Sequence, residues 1–171
     1  MKIYANGSKY SDRLTILERP DFSIGFDNGW DGDKMSFSEV SPSIYVINED
    51  NSYDEVSAIP DYEGTLLGFH SGNDNTCTIT FEYNGSDNWY LNDILEQKSV
   101  LISNENTYTL TQLDSENEAR FIISKTPLQF IATGFENVNV NSLKKIILNN
   151  QVYIINNGQM YNTLGQTVKL K

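Results

Sequence analysis

The sequence predicts an all-β protein, an antiparallel β-sandwich of jelly-roll or Ig-like type followed by a small C-terminal β-meander. Segments rich in β-branched and aromatic residues, several of them alternating with polar residues, lie at 13–17, 43–47, 65–69, 76–83 and 107–111. Turn-forming clusters of Asn, Asp, Ser and Gly separate them, at 48–51, 71–75, 84–88 and 114–117. No amphipathic helical window of useful length is present, and only 92–98 hints at a helical turn.

The pattern changes near Thr126, and this change predicts the domain organisation. Pro127 follows a strand-like segment at 119–124, and residues 137–142 are polar and weakly patterned. Four short strand-like segments then follow at 145–148, 151–155, 159–162 and 166–169, separated by Asn-rich turns. We therefore predict a sandwich domain at 1–126, a linker at 127–142 and a C-terminal hairpin or meander tail at 143–171. A ribbon this short is marginal alone, so we expect it to dock on the sandwich or on a partner.

Composition excludes several classes of function. The 171 residues suffice for a sizeable core, and the single Cys77 excludes an internal disulfide and a Cys-rich zinc site. A net charge of -11 argues against nucleic acid and anionic lipid, whereas cationic ligands, metal ions and neutral sugars remain compatible. No run approaches the roughly twenty apolar residues of a membrane helix, so we expect no membrane insertion. The first residues lack the apolar core of a signal peptide, and we expect a piece of a longer secreted protein more than a cytoplasmic one.

The loop at 25–35 concentrates polar side chains between two strand-like segments. Asp27, Asn28, Asp31 and Asp33 offer the oxygen ligands that calcium prefers, so Ca²⁺ is the one cofactor that the sequence indicates. The spacing is not that of an EF-hand loop. Turns closed by the Asp and Asn side chains are the alternative, and Lys34 is available to neutralise one carboxylate.

Both tryptophans have Asp and Asn neighbours, a combination that is typical of sugar-binding surfaces. An indole face stacks on a sugar ring while amides and carboxylates bond the hydroxyls, which makes Trp30, Trp89 and Asp93 candidate glycan-binding residues. The alternative is that the tryptophans are buried in the sandwich core.

The sequence gives little support for catalysis, and we predict that the protein is not an enzyme. His70 follows an apolar strand, and Cys77 shares the predicted buried face of its strand with Ile79 and Phe81. A Cys77–His70 pair would require a hairpin centred on 71–76, and no activating positive patch is evident. Arg120 lies in an apolar strand, so we expect a structural ion pair, with Asp27 or Asp31 as the candidate partner.

Four stretches carry a resemblance to a known family: Tyr-Ser-Asp-Arg-Leu at 10–14, the loop at 25–35, Tyr-Leu-Asn-Asp at 90–93 and Ala-Arg-Phe-Ile-Ile at 119–123. They resemble the β-sandwich module near the carboxyl terminus of many large exported proteins of the Bacteroidetes. The segment at 145–169 resembles the short tails of the same proteins, which are related to the sorting domains of the type IX secretion system. Within it, the sorting-tail residues implied are Tyr161, Leu164, Gly165, Val168 and Lys169.

The resemblance implies a non-catalytic carboxyl-terminal region that serves secretion, sorting or cell-surface attachment. It implies a secreted or outer-membrane-surface location, upstream domains of a longer polypeptide, and secretion or attachment machinery as partners. The tail departs from the family pattern because it looks like a shortened hairpin without room for the full Ig-like sorting domain. The alternative function, which rests on the tryptophan-containing loops, is a carbohydrate-binding or cell-adhesion module that binds a glycan.

Overall fold

Every regular element that the structure describes is a β-strand, as the sequence predicts. The structure is a computed structural model and describes residues 1–23, 25–111, 113, 119–130, 143–148, 151–156 and 159–168. The strands are β1 (Lys2–Asn6), β2 (Ser11–Glu18), β3 (Gly32–Asp33), β4 (Ser43–Ile47), β5 (Tyr53–Ile59), β6 (Leu66–His70), β7 (Cys77–Glu82), β8 (Tyr90–Asp93), β9 (Lys98–Leu101), β10 (Thr107–Leu110), β11 (Phe121–Ser124), β12 (Gln129–Phe130), β13 (Leu143–Leu148), β14 (Gln151–Asn156) and β15 (Gln159–Asn162). They form two sheets.

The larger sheet contains the first eleven strands and builds the sandwich. Its order is β10-β7-β1-β2-β5-β4-β6-β11-β8-β9, with β3 attached to β5. The pairings are antiparallel except that of β2 with β5, which is parallel. The sheet folds over on itself, since β1 contacts β4 without being its neighbour in the sheet. Ile3, Ile44, Ile79 and Phe121 thereby join one apolar core, consistent with the predicted sandwich.

Alternation along the strands explains which residues face this core. In β7, Cys77, Ile79 and Phe81 are buried, whereas Thr78 and Thr80 are partly exposed, as the sequence predicts. The other four predicted segments contain or overlap β2, β4, β6 and β10. Five strands of this sheet, β1, β3, β5, β8 and β9, lie outside the segments predicted as strands.

The helical turn predicted at 92–98 is wrong, because this segment is a β-hairpin. Strand β8 pairs with β9, and Asp93 stands opposite Lys98 in the register. The Asp93 Oδ1 atom accepts hydrogen bonds from the N–H groups of Leu95 at 2.8 Å and Glu96 at 2.9 Å. Gln97 has a φ of 55°, which reverses the chain and is incompatible with a continuing helix.

The smaller sheet has the order β12-β13-β14-β15 and contains the first three of the four tail segments that the sequence predicts, whereas Thr167 of the fourth forms only an isolated bridge. Its first strand, Gln129–Phe130, lies within the range expected to be a linker and pairs with Ile146 and Ile147 of β13. Residues 131–142, and the predicted turns at 149–150 and 157–158, lie outside the described residues. So does the turn cluster at 114–117.

The smaller sheet is packed on the sandwich by a second apolar cluster. Ile94 and Ile122 of the sandwich domain contribute to this cluster, and Ile122 is fully buried. The tail contributes Ile146, Leu148, Tyr153, Ile155 and Met160, and Leu128 completes the set. The expectation that the meander docks on a surface is therefore met within this chain.

Candidate functional site

The loop between β2 and β4 is closed by its own acidic side chains. The Asp27 carboxylate accepts hydrogen bonds from the N–H of Ser23 at 2.7 Å and from its hydroxyl at 3.0 Å. The Asp31 carboxylate accepts hydrogen bonds from the N–H groups of Asp27 and Ala58. The Trp30 N–H donates to the Asp27 carbonyl at 2.9 Å, and Gly29 takes a φ of 90° that other residues rarely adopt. The loop therefore has the structure named above as the alternative to a calcium site, in which side chains close the turns.

The structure does not gather the predicted calcium ligands into a metal centre. Asp33 lies in β3 opposite Asp54, Asn28 is exposed, and the carboxylates of Asp27 and Asp31 bond to backbone N–H groups. Among the described residues, no group of three or more His, Cys, Asp or Glu side chains is arranged to hold a metal ion. The Ca²⁺ site remains a prediction from sequence, without support from this geometry.

Lys34 pairs with carboxylates outside that set. Its ammonium lies 2.7 Å from the Asp12 carboxylate and 3.7 Å from that of Glu55, and its side chain is only 6% exposed. The same Asp12 oxygen accepts the N–H of Ile44 at 2.8 Å. Lys34 therefore connects the end of the loop to β2 and β5.

Trp30 is an exposed, well-supported aromatic surface on this loop. Its side chain is 50% exposed, and the guanidinium carbon of Arg19 lies 5.3 Å from the indole centroid. The Phe22 ring centroid also lies 5.3 Å from that of Trp30, and Arg19 forms an ion pair with Asp21. Arg19 and Phe22 were not identified from the sequence as neighbours of Trp30, although their position just before the loop could have indicated it. The arrangement leaves much of the indole free to stack on a ligand.

Trp89 and Asp93 do not share that surface, which corrects their assignment as glycan-binding residues. Trp89 is 1% exposed because the Tyr62 ring packs edge-on at 5.3 Å and the Lys125 ammonium lies 5.0 Å from the indole centroid. Asp93 is fully buried. The core burial that sequence analysis named as the alternative applies to Trp89 and not to Trp30.

Arg120 forms the expected structural ion pair, but with Asp93, not with Asp27 or Asp31. Both side chains are fully buried, and the Asp93 Oδ2 atom lies 2.8 Å from Nη2 and 3.1 Å from Nε of Arg120. The Tyr108 hydroxyl donates to the same oxygen at 3.0 Å, and Glu96 lies 3.4 Å from Nη2. Burial and the neighbouring Asp93 raise the pKa of Tyr108 far above its ordinary value. Asp93 is the partner because β8 and β11 are neighbouring strands, and their register places Asp93 opposite Phe121, the residue after Arg120.

Cys77 and His70 do not form the pair considered from sequence. The required hairpin is absent from the sheet, because β6 pairs with β4 and β11 whereas β7 pairs with β1 and β10. The His70 Nδ1 atom accepts the Gly72 N–H at 3.0 Å. Cys77 is buried in the core, and burial, followed by the charge of Asp74, raises the pKa of its thiol to about 11.

The tail ends in a turn that projects Leu164. The Asn162 Oδ1 atom accepts hydrogen bonds from the N–H groups of Leu164 at 3.0 Å and Gln166 at 2.9 Å, so Asn162 organises the turn. The sequence signal for this role, an Asn just before a turn, was available but unused. Gly165 has a φ of 76°, and Leu164 is 81% exposed.

The chain returns alongside β15 after this turn. Tyr161 forms a β-bridge with Thr167, and the Val168 N–H donates to the Met160 carbonyl at 2.8 Å. Val168 also packs against the second apolar cluster. The structure thus places four of the five sorting-tail residues in one terminal hairpin, whereas Lys169 lies outside the described residues.

Comparison with known proteins finds a similarity to a bacterial fimbrium subunit. The chain is similar to the Minor fimbrium subunit Mfa5 of Porphyromonas gingivalis, with 25% identity over 164 residues. The match covers 94% of this chain and 13% of that protein. No family model matches the chain, and no solved structure matches it. The similarity supports the resemblance to a module of Bacteroidetes surface proteins, and it does not test the relation of the tail to sorting domains.

The described part of the chain contains no helix with the length and apolar character needed to cross a membrane.

Proposed function

We propose that this chain is a non-catalytic module of an exported Bacteroidetes surface protein and that its C-terminal hairpin serves sorting or cell-surface attachment. The observation that carries this proposal is the similarity to a fimbrium subunit across 94% of the chain. The partners are then the secretion or attachment machinery and the upstream domains of a longer polypeptide. The location is secreted or on the outer-membrane surface.

The geometry of the tail supports a recognition role for its terminal turn. The tail strands are fixed on the sandwich through buried side chains such as Ile146 and Ile155. The turn beyond β15 is ordered by Asn162 and presents Leu164 to solvent. An exposed leucine on a hydrogen-bonded turn provides an apolar anchor, because a turn that is already ordered loses little conformational entropy when a partner binds.

The test is export of a reporter from a Bacteroidetes host. A signal peptide and reporter are fused to residues 1–171, to residues 1–142 and to 1–171 carrying Leu164→Ser. Met35→Ser is the matched control, because Met35 is 92% exposed and lies in a sandwich loop. We expect the intact and Met35→Ser fusions at the surface or in the medium, and the other two retained in the periplasm.

The point variant is needed because deletion of the tail uncovers Ile94 and Ile122 and so also perturbs the sandwich. Leu164→Ser removes no packing. Export of the 1–142 fusion at the level of the intact one would overturn the sorting role.

Glycan binding through Trp30 is the second candidate function. A half-exposed indole supported by Arg19 and Phe22 is a preformed platform for a sugar ring. The net charge of -11 favours a neutral glycan. The test is binding of residues 1–171 to a glycan array.

Trp30→Ala should abolish retention of the bound glycan. Tyr10→Ala should not, since it removes an aromatic ring that is 55% exposed elsewhere on the surface. Absence of any retained glycan, or equal retention by Trp30→Ala, would refute this candidate.

A further inference from the structure

A groove opens between the sandwich and the tail. It has a volume of about 330 Å³, and its walls come from the turn after β4, from residues 59–66 and from the terminal hairpin. Its lining includes Val46 and Leu66 of the sandwich together with Met160 and Val168 of the tail. Docking of the tail therefore creates this groove, and its lining is mostly apolar.

The charged groups along the groove are all acidic. Glu49, Asp61 and Glu63 line it, and the described lining contains no Lys or Arg. The Glu63 Oε2 atom accepts the Lys125 N–H at 2.8 Å, whereas Glu63 Oε1 is buried and accepts no hydrogen bond. A carboxylate oxygen shielded from water without a donor is destabilising until a donor reaches it.

We propose that this groove binds a short segment of a partner protein that carries apolar side chains beside a Lys or Arg. The volume is at the lower end of the range for ligand pockets, about 300–1,000 Å³, and accommodates a few side chains and not a folded domain. The apolar walls bury the apolar side chains, and the cation meets Asp61 and Glu63. The acidic rim selects a basic segment over an acidic one. The groove shares Val168 with the predicted sorting tail, but peptide binding there requires neither sorting by the tail nor glycan binding by Trp30.

The test uses residues 1–171 and fluorescein-labelled hexapeptides followed by fluorescence anisotropy. One peptide alternates Leu with Lys, a second alternates Leu with Glu, and a third alternates Ser with Lys. We expect the Leu–Lys peptide to bind at least about tenfold more tightly than either of the others, because only it satisfies both the apolar walls and the acidic rim.

Substitutions locate the binding in the groove. Asp61→Asn and Glu63→Gln should each weaken binding of the Leu–Lys peptide by about fivefold or more, in line with loss of a charge-assisted contact. Glu105→Gln is the matched control, because Glu105 is an exposed acid that does not line the groove. The Glu105→Gln chain should bind the Leu–Lys peptide with the same affinity as the unmodified chain.

Methionine methyl NMR gives an independent readout. The chain has three methionines, of which Met160 lines the groove and Met35 is exposed in a loop segment that does not line it. Titration with the Leu–Lys peptide should shift the Met160 methyl signal and leave that of Met35 in place. The same spectrum confirms that each variant is folded.

Three outcomes would overturn the proposal. The first is no saturable binding of the Leu–Lys peptide at millimolar concentration. The second is equal weakening by Glu105→Gln, which would mean attraction to the overall charge. The third is a shift at Met35 without one at Met160.

Discussion

Replacement of Arg120 by Met tests whether the buried ion network holds the sandwich together. Arg120 and Asp93 are both fully buried, and the variant removes the two guanidinium hydrogen bonds to the Asp93 Oδ2 atom. Asp93 keeps the Tyr108 hydroxyl on Oδ2 and the N–H groups of Leu95 and Glu96 on Oδ1. The carboxylate thus loses its cation but not all its donors.

Breaking a buried pair by removing one partner costs about 3–5 kcal/mol, because an uncompensated charge remains inside. The donors that remain on Asp93 place the expected loss in the free energy of unfolding at the lower end, about 3 kcal/mol. For a chain of this size that corresponds to a fall in Tm of about 6–12 °C. Urea and thermal unfolding, followed by circular dichroism, measure both quantities.

Lys98→Met is the matched control, since Lys98 pairs with Glu96 of the same network at 2.9 Å but is 53% exposed. Only the Lys98 end of this pair reaches solvent, since the Glu96 side chain is 2% exposed. Glu96 keeps the Arg120 guanidinium at 3.4 Å and the backbone N–H of Thr111, so Lys98→Met should lose less stability than Arg120→Met. The reasoning is refuted if Arg120→Met loses no more stability than Lys98→Met.

Three further predictions concern buried groups. The thiol of Cys77, whose pKa burial raises to about 11, should react with Ellman's reagent at pH 8 only after unfolding in urea; rapid labelling of the native chain would contradict the buried position. Burial raises the pKa of Asp54 above its ordinary value of 3.8. The contribution of Asp54 to the free energy of unfolding is therefore fully present below pH 3.8 and is lost as the pH rises through the pKa that Asp54 has in the folded chain. The stability of Asp54→Asn relative to the unmodified chain should therefore be greater at pH 7 than at pH 3. Equal urea midpoints of the two chains at both pH values would contradict this. Ile146→Ala should cost about 2–5 kcal/mol, because the Ile146 side chain of the tail is fully buried in the cluster that joins the tail to the sandwich, and Lys145→Ala less than about 0.5 kcal/mol. A main urea transition unchanged by Ile146→Ala would mean that the tail unfolds separately.

Regular alternation made β7 predictable and apolar runs did the same for β4 and β11, whereas the irregular β5 was not predicted. In β7 the Thr and apolar positions alternate without exception, so the buried face was clear from sequence. In β5 the register with β3 shifts between Gly32 and Asp33, and the acidic Asp54 is buried opposite Val46. An irregular pairing and a buried acid remove the period of two on which the prediction depends.

The site residues show why local sequence has limited power. Arg120 and Asp93 are 27 residues apart, and they meet because β8 and β11 are neighbours, which local patterns do not specify. Trp30 and Trp89 have similar polar neighbours in sequence, yet one is half exposed and the other is covered by Tyr62. Tertiary packing decides that difference.

The position of β1 has a mechanical consequence for the fold. Strand β1 lies between β2 and β7 and is hydrogen-bonded to both along its whole length. A tensile load that enters at this strand must shear two ladders at once, whereas the segment at 166–168 follows the edge of the smaller sheet and separates by breaking bonds one after another. The two segments thus differ in their resistance to pulling, and we expect the segment at 166–168 to separate at a lower force than β1.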